Sequence, residues 1–389
     1  MKKFVYMDHA ATTPVKKEVL DEMMPYFSEY YGNPSSVYAF SNYSNIAIDK
    51  ARDQVAKAIH AKKNEIYFTG GGSESDNWAI KGVASKYIQK GNHIITTKIE
   101  HHAVLHTCDF LAKQGFEVTY LDVDEYGLVS LEELENAITD KTILISIMFA
   151  NNEIGTIEPI KEIGAIAKKH GVLFHTDAVQ AVGSVEIDVN EMNIDLLSLT
   201  AHKLYGPKGT GALYIRQGVR IDPLITGGAQ EKNKRAGTEN IAGIVGLGKA
   251  IELAYEHLEE NNSRLIELRD RLIMGIQNNI EDVRLNGHPT NRLPGNVNFC
   301  FRYIEGESLL LSLDMVGIAG SSGSACTSGS LDPSHVLLSI GLIHEIAHGS
   351  LRLSLGASNT EEDVDYVVEQ LVKIVDRLRK MSPLYNKKA

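Results

Sequence analysis

From about residue 65 to residue 215 the chain alternates short β-branched runs with longer amphipathic ones, and this alternation is the strongest constraint on its fold. The short runs are EIYFTG, HIITT, FEVTY, TILISIMF, VLFHTD, IDLLSLT and GALYIR. Stretches between them, such as SDNWAIKGVASKYIQK and IKEIGAIAKKHG, are long enough for crossover helices on a mainly parallel sheet. The pattern predicts an α/β layer whose sheet is covered on both faces. After GALYIR comes a Gly-rich basic loop, TGGAQEKNKRAGTEN, and then a helical pattern without proline from about Ile241 to Ile276, read as one long helix able to bridge two domains. Further on, NVNFCF and SLRLSL read as strands, while EGESLLLSLD, PSHVLLSIG and TEEDVDYVVEQLVKIVDRLRK read as helices, an α+β arrangement distinct from the first half. A chain of 389 residues is too long for one ordinary core, and length alone suggests roughly two to three domains.

Charge and cysteine content narrow the function. Lys plus Arg number 39 against 50 Asp plus Glu, a net charge of −11, which argues against nucleic acid or an anionic membrane as partner. Cys108, Cys300 and Cys326 are odd in number and lack C-x-x-C spacing, so neither a disulfide framework nor a zinc ribbon is expected. MKKFVYMDHAATTP has no apolar core of a signal peptide, and no run of about 18 apolar residues occurs. A soluble, cytoplasmic protein is the expectation.

In open α/β sheets, ligands bind beyond the carboxyl ends of strands, and three such ends carry chemistry. EIYFTGGGSESDN puts a glycine turn and a serine between a strand and a helix, where backbone N–H groups and the helix dipole can hold a phosphate. It matches neither G-x-G-x-x-G nor a Walker motif. Asp177 ends VLFHTD, where it either caps the next helix or takes part in chemistry. Lys203 follows the next strand in SLTAHKLYGPKG. A phosphate cradle, an acid and a lysine in this order are what pyridoxal phosphate requires: a Schiff-base lysine, a carboxylate that keeps the pyridine nitrogen protonated, and a phosphate holder. Cys326 lies in SSGSACTSGS, a Gly/Ser loop without large apolar side chains, where a thiol is either idle or reactive.

In order along the chain, MDHAATTP, GNPSS, GGSESDN, EHHAVL, NNEIGTIEPI, HTDAVQAVG, AHKLYGPKGTGALYIR, RAGTEN, LPGNVN, SSGSACTSGS and LRLSLG resemble, essentially end to end, the class V aminotransferase group of fold-type I pyridoxal-phosphate enzymes. Within it they resemble the cysteine desulfurases of the NifS/IscS type. The resemblance implies a large cofactor-binding domain, residues 15–257, with a mainly parallel seven-stranded sheet, and a smaller α+β domain from residues 1–14 and 258–389 carrying the Cys326 loop. It implies pyridoxal 5'-phosphate as cofactor, attached at Lys203, with Asp177 at the pyridine nitrogen, Gln180 near the phenolic oxygen and His101 stacked on the ring as a proton carrier. Gly72, Ser73, Thr200 and His202 would hold the phosphate, completed by Thr238 from a second subunit, hence a homodimer. Asn152 and Arg352 would recognise the substrate, Asn152 also contacting the cofactor and Arg352 acting through its planar fork on a carboxylate. Sulfur would pass from L-cysteine to Cys326, leaving alanine, and then to an acceptor such as an iron–sulfur scaffold protein. No resident metal is implied; Cys326 is at most a transient ligand of a nascent iron–sulfur cluster.

Two metal-like patterns have blander readings. HEIAH (344–348) matches H-E-x-x-H, but Gly349 and the strand-like SLRLSL follow at once. His102 and His106 read as a helix surface, and Cys108 and Cys300 as core. TGGAQEKNKRAGTEN carries Lys232, Asn233 and Lys234 where relatives often show Arg and Gly, and the short ending SPLYNKKA leaves the acceptor open. The rival activities are a selenocysteine lyase or β-lyase that does not need Cys326, and a non-catalytic sulfur carrier. Lys203, Asp177 and His101 together speak against the carrier, and the Cys326 loop against the lyase.

Overall fold

The computed structural model describes residues 3–322 and 333–385. A short strand, β1 (Val5–Tyr6), is followed by seven more: β2 (Ile66–Thr69), β3 (His93–Thr97), β4 (Glu117–Leu121), β5 (Thr142–Ser146), β6 (Leu173–Asp177), β7 (Leu196–Thr200) and β8 (Gly211–Ile215). These seven form one sheet in the order β2-β8-β7-β6-β5-β3-β4. From β7 to β4 all neighbours are parallel, and only β8 is reversed, antiparallel to both β2 and β7. All residues of β3, β5, β7 and β8 are buried, as expected of a sheet covered on both faces. At the edge, β4 starts exposed at Glu117.

The crossover helices form where the 3.6-residue period is. The helix Ile160–His170 buries Ile160, Ile163, Gly164 and Ala167, one stripe along its length, and ends at Gly171 in the left-handed conformation. Burying each of the two isoleucines contributes about 1.5–3 kcal/mol. Gly164 is needed for approach: a Cβ there would lie 1.9 Å from the Met192 carbonyl oxygen.

The pattern read as one helix from Ile241 to Ile276 is two helices, Ile241–Glu256 and Leu258–Asn279, separated at His257 (φ −119, ψ 23). The two serve different cores. Ala242, Ile244, Leu247 and Ile251 join the cluster beside the large sheet, whereas Leu268, Leu272 and Ile276 join a second cluster. A straight rod does not satisfy both, so the ladder breaks where no large apolar residue holds it.

The second cluster is built on β9 (Val283–Leu285), β10 (Asn296–Phe301) and β12 (Ser350–Ser354), an antiparallel sheet in the order β12-β10-β9, with β11 (Ile318–Ala319) pairing in parallel with β1. Apart from Val5 and Met7, its buried members all lie between residues 268 and 375. HEIAH makes a single turn, His344–Ala347, which ends before β12. Cys108 and Cys300 are fully buried, and burial pushes their thiols up to about 12 and about 11.

Candidate active site

The carboxyl ends of β2, β3, β5, β6 and β7 surround one cavity of about 430 Å³. Gly72 and Ser73 line it after β2, His101 after β3, Asn152 after β5, Asp177 and Gln180 from β6, and Thr200, His202 and Lys203 from β7; Arg352 reaches it from β12. Cys326 lies outside the described residues. Thr238 is exposed and does not line this cavity.

The glycine turn is a backbone device. Gly71 sits at φ 150, ψ −179, a region open essentially to glycine. A Cβ on Gly72 would lie 2.7 Å from Val179 Cγ2. The helix Gly72–Tyr87 starts here, so its first-turn N–H groups have no intrahelical acceptors and face an open space of about 490 Å³ lined also by Thr200, His202 and Lys208. The donors and the Lys208 cation fit an anionic phosphate, and Glu74, which also lines this space, has its charge matched by Arg235 at 2.8 Å. The Thr200 hydroxyl is engaged, donating to the Thr210 carbonyl at 3.1 Å, so it must turn to donate to a phosphate. His202 is held neutral, its pKa lowered to about 4 by burial and then by Lys203 and Lys208.

Lys203 closes a tight turn, Ala201–Lys203, that the N-terminal segment clasps. Thr13 donates through its N–H and hydroxyl to the His202 carbonyl, at 3.0 and 2.9 Å, and its hydroxyl accepts from the N–H of Tyr205 at 2.8 Å. Tyr205 is itself left-handed, φ 64. The Lys203 ammonium donates to the carbonyls of Ala10 and Ala11, and Gln180 Nε2 donates to the Ala10 carbonyl at 3.0 Å.

Asp177 is buried, and one of its oxygens accepts the Val179 N–H at 2.9 Å. Asp177 thus caps the turn and also lines the cavity. Burial raises its pKa, while Val179 N–H and the Lys203 charge pull it back toward the carboxylate. His101 is the N-cap of the helix His102–Ala112, its Nδ1 accepting the Ala103 N–H at 3.1 Å. The ring proton of the neutral form is thereby assigned to Nε2. Burial, then Lys203, lowers the His101 pKa, favouring that neutral form.

Arg352 is 4% exposed, not a surface ion pair. It donates to Asp8 at 3.0 Å and to the Asn152 carbonyl at 3.0 Å, while its Nε has no partner. β12 holds it through backbone bonds with Ser321, 3.0 and 2.6 Å. A guanidinium with an unused donor is equipped for a further carboxylate.

Sequence reading missed four acidic residues. Asp8 sat unnoticed in MDHAATTP, because its partner is 344 residues away. Asp76 lines the cavity from the helix after the glycine turn. Glu100 is fully buried beside His101, accepting from Thr97 and from the Met148 N–H, and burial raises its pKa well above the usual range. Glu153, next to Asn152, accepts from the hydroxyl of Ser334, and burial raises it to about 7. An acidic residue following a strand was the available signal, and Asp8, two residues past β1, and Glu100, three past β3, carried it.

An amine, a buried acid, a neutral histidine, an anion cradle and an arginine thus surround one cavity, in a chain whose similarity to known proteins is extensive. The profile of the family described as "Aminotransferase class-V" matches residues 5–367. "Cysteine desulfurase IscS" of Clostridium botulinum (strain Hall) is 67% identical over 387 residues, covering 99% of this chain and 98% of that protein. "Cysteine desulfurase IscS" of Methanosarcina thermophila is 65% identical, covering 98% and 94%. Among solved structures, a "NifS-like protein" superposes with a TM-score of 0.91 at 41% identity, covering 97% of this chain and 100% of that one. "SspA in complex with cysteine" does so with a TM-score of 0.81 at 41% identity, covering 91% and 99%. By profile, by end-to-end identity and by fold, this chain belongs to the aminotransferase class V family.

Proposed function

We propose that the chain is a cysteine desulfurase that uses pyridoxal 5'-phosphate to take sulfur from L-cysteine, giving L-alanine and a persulfide on Cys326. One observation carries the reading: the cavity that gathers Lys203, Asp177, His101 and Arg352 around a glycine cradle, within a chain 67% identical end to end to a protein named for that activity. When bound, the cofactor supplies an electron sink that makes the substrate Cα–H acidic and loosens the Cβ–S bond.

The chain's own residues supply the rest. The N–H groups at the start of the helix Gly72–Tyr87, with His202 and Thr200, hold the phosphate. Asp177 presents its charge to the ring nitrogen. Lys203 would be the attachment point of the cofactor, and its amine would serve as the base at the substrate Cα. His101, neutral with its proton on Nε2, would stack on the ring and carry protons. Arg352 and Asn152 hold the substrate carboxylate. Cys326 attacks the substrate sulfur as a thiolate; a free thiol has a pKa of about 8.5, so a neighbouring base must take its proton, a role that falls to His101.

The division into a large unit, 15–257, and a small one, 1–14 with 258–389, is supported by the two clusters, which draw on these segments separately but for Leu293. The assembly is a homodimer. Two features support it: Thr238 is exposed on its own chain, and the segment 20–46 displays Leu20, Met24, Phe27, Tyr31, Tyr38 and Ile46 to solvent, an apolar surface that calls for a cover. Its sulfur acceptor is a protein such as an iron–sulfur scaffold, and it works in the cytoplasm; among the described residues no helix is long and apolar enough to cross a membrane. The test is borohydride reduction of the yellow protein followed by peptide mapping. The cofactor is expected on Lys203, and a covalent link that persists in Lys203→Ala overturns the assignment.

A further inference from the structure

The cavity contains a second carboxyl that none of the steps above uses. Asp76 is 1% exposed and lines the cavity together with Asp177. Its Oδ1 is enclosed without a hydrogen-bond partner. The nearest ring nitrogen, Nε2 of His175, is 3.7 Å away, beyond hydrogen-bond reach. His175 is itself wholly buried, with the hydroxyl of Ser146 2.8 Å from Nδ1 and that of Ser198 3.0 Å from Nε2. Burial lowers its pKa to about 3, so it is a neutral ring and brings no positive charge to Asp76.

An ionised carboxylate in this place is costly. Its Oδ1 lacks a donor, and the ionisable groups that face it, Asp177 and then Glu100, are both acidic and bring no positive charge. Only the Ser198 hydroxyl offsets them. Protonation removes the charge and turns the unpartnered oxygen into a donor. Asp177 differs, because it has the Val179 N–H and the Lys203 charge on its side. The environments of two neighbouring carboxyls push their protonation apart, which is how a site assigns one proton to one of them.

We propose that Asp76 is a positioning residue that stays a neutral carboxylic acid, so that the pair carries one negative charge and Asp177 alone presents it to the ring nitrogen. The positioning role rests on the reading of Asp177 given above; the protonation state of Asp76 does not. Infrared spectra of the holoenzyme and of Asp76→Asn, recorded at neutral pH in water and in deuterium oxide, read that state directly. The expected result is that the wild type shows the C=O stretch of a protonated carboxylic acid, shifted by deuterium, and that Asp76→Asn loses it. Loss of a carboxylate band instead overturns the proposal. In the same preparations, turnover of L-cysteine reads the positioning role. Asp76→Ala is expected to lower kcat on the order of tenfold, as removal of a group that orients a working residue does, with KM nearly unmoved because Arg352 is intact. Asp76→Asn, neutral and of the same shape, is expected to restore most of that loss and to leave the pH dependence of the cofactor's absorbance as in the wild type. An Asp76→Asn variant as impaired as Asp76→Ala, or one with a shifted absorbance titration, overturns the role. If no cofactor binds at all, the reading of Asp177 fails, while the same infrared comparison made on the purified cofactor-free chains still reads the protonation of Asp76.

Discussion

Breaking the ion pair between Arg52 and Glu231 tests how the Thr238 loop is held. Glu231, Lys232 and Asn233 are three successive left-handed residues, φ 44, 58 and 62, none of them glycine, and such conformations cost of order 1–3 kcal/mol each. Something must overcome that strain. Both oxygens of Glu231 accept from the guanidinium of Arg52 at 2.7 Å, and the Phe68 N–H donates to one of them at 3.0 Å. The side chains of Arg52 and Glu231 are 11% and 4% exposed, so solvent screens the pair little. Glu231→Gln leaves Arg52 buried without its counter-charge, a loss of about 3–5 kcal/mol. Urea denaturation of the holoenzyme measures this, and limited proteolysis reports whether cleavage begins within residues 230–238. In Arg52→Met/Glu231→Leu no charge is stranded, so much of the stability is expected to return, but the loop stays released because the left-handed run is no longer held. A loss under 1 kcal/mol in Glu231→Gln, with cleavage unchanged, refutes the reasoning.

Thr238→Ala is expected to speed cofactor release from the dimer, followed by the decay of the visible band on dilution into cofactor-free buffer, and mixing it with a Lys203→Ala subunit is expected to place the defect in the opposite subunit's site. Gly72→Ala, which puts a Cβ 2.7 Å from Val179, is expected to weaken cofactor affinity, read by equilibrium dialysis, with stability of the cofactor-free chain nearly unchanged. Glu158 is buried with one oxygen unpartnered, and burial raises its pKa from 4.5 to about 8. Because the folded state prefers the protonated acid, its contribution is present below the unfolded pKa and is lost as pH rises toward 8. Glu158→Gln is therefore expected to gain stability relative to wild type across that window, by at most about 1.4 kcal/mol per pH unit, measured by thermal melts at several pH values.

The sheet and most of the site could be read from sequence because they obey short periods. Strands with β-branched runs end where Asp177, Thr200 and Lys203 stand, and the rule that ligands bind past those ends needed no tertiary knowledge. The resemblance to a family supplied His101, Asn152, Gln180 and Arg352, whose placement around one cavity depends on chain closure. Arg352 arrives from β12 and meets Asp8 from the N-terminus, a pairing that has no local signature. The break at His257 was invisible for a related reason: the helical period continues through it, and only the presence of two cores makes a straight helix fail. TGGAQEKNKRAGTEN read as a Gly-rich, basic loop, with nothing in it to mark Glu231 as buried against Arg52, because the partner that makes such burial tolerable lies 179 residues away. Asp76 was hidden in the same way; on a helix pattern its position predicts an inward face but not a carboxyl left without a donor.

The central claim is that sulfur leaves L-cysteine onto Cys326. A single turnover of the holoenzyme with L-cysteine, quenched with a thiol-alkylating reagent and analysed by peptide mass spectrometry alongside amino-acid analysis, measures it. The account predicts one alanine and one extra sulfur atom on the peptide carrying Cys326 for each subunit, with Cys108 and Cys300 unmodified. Pyruvate and free sulfide with an unmodified Cys326 peptide, or full alanine production by Cys326→Ala, would contradict it.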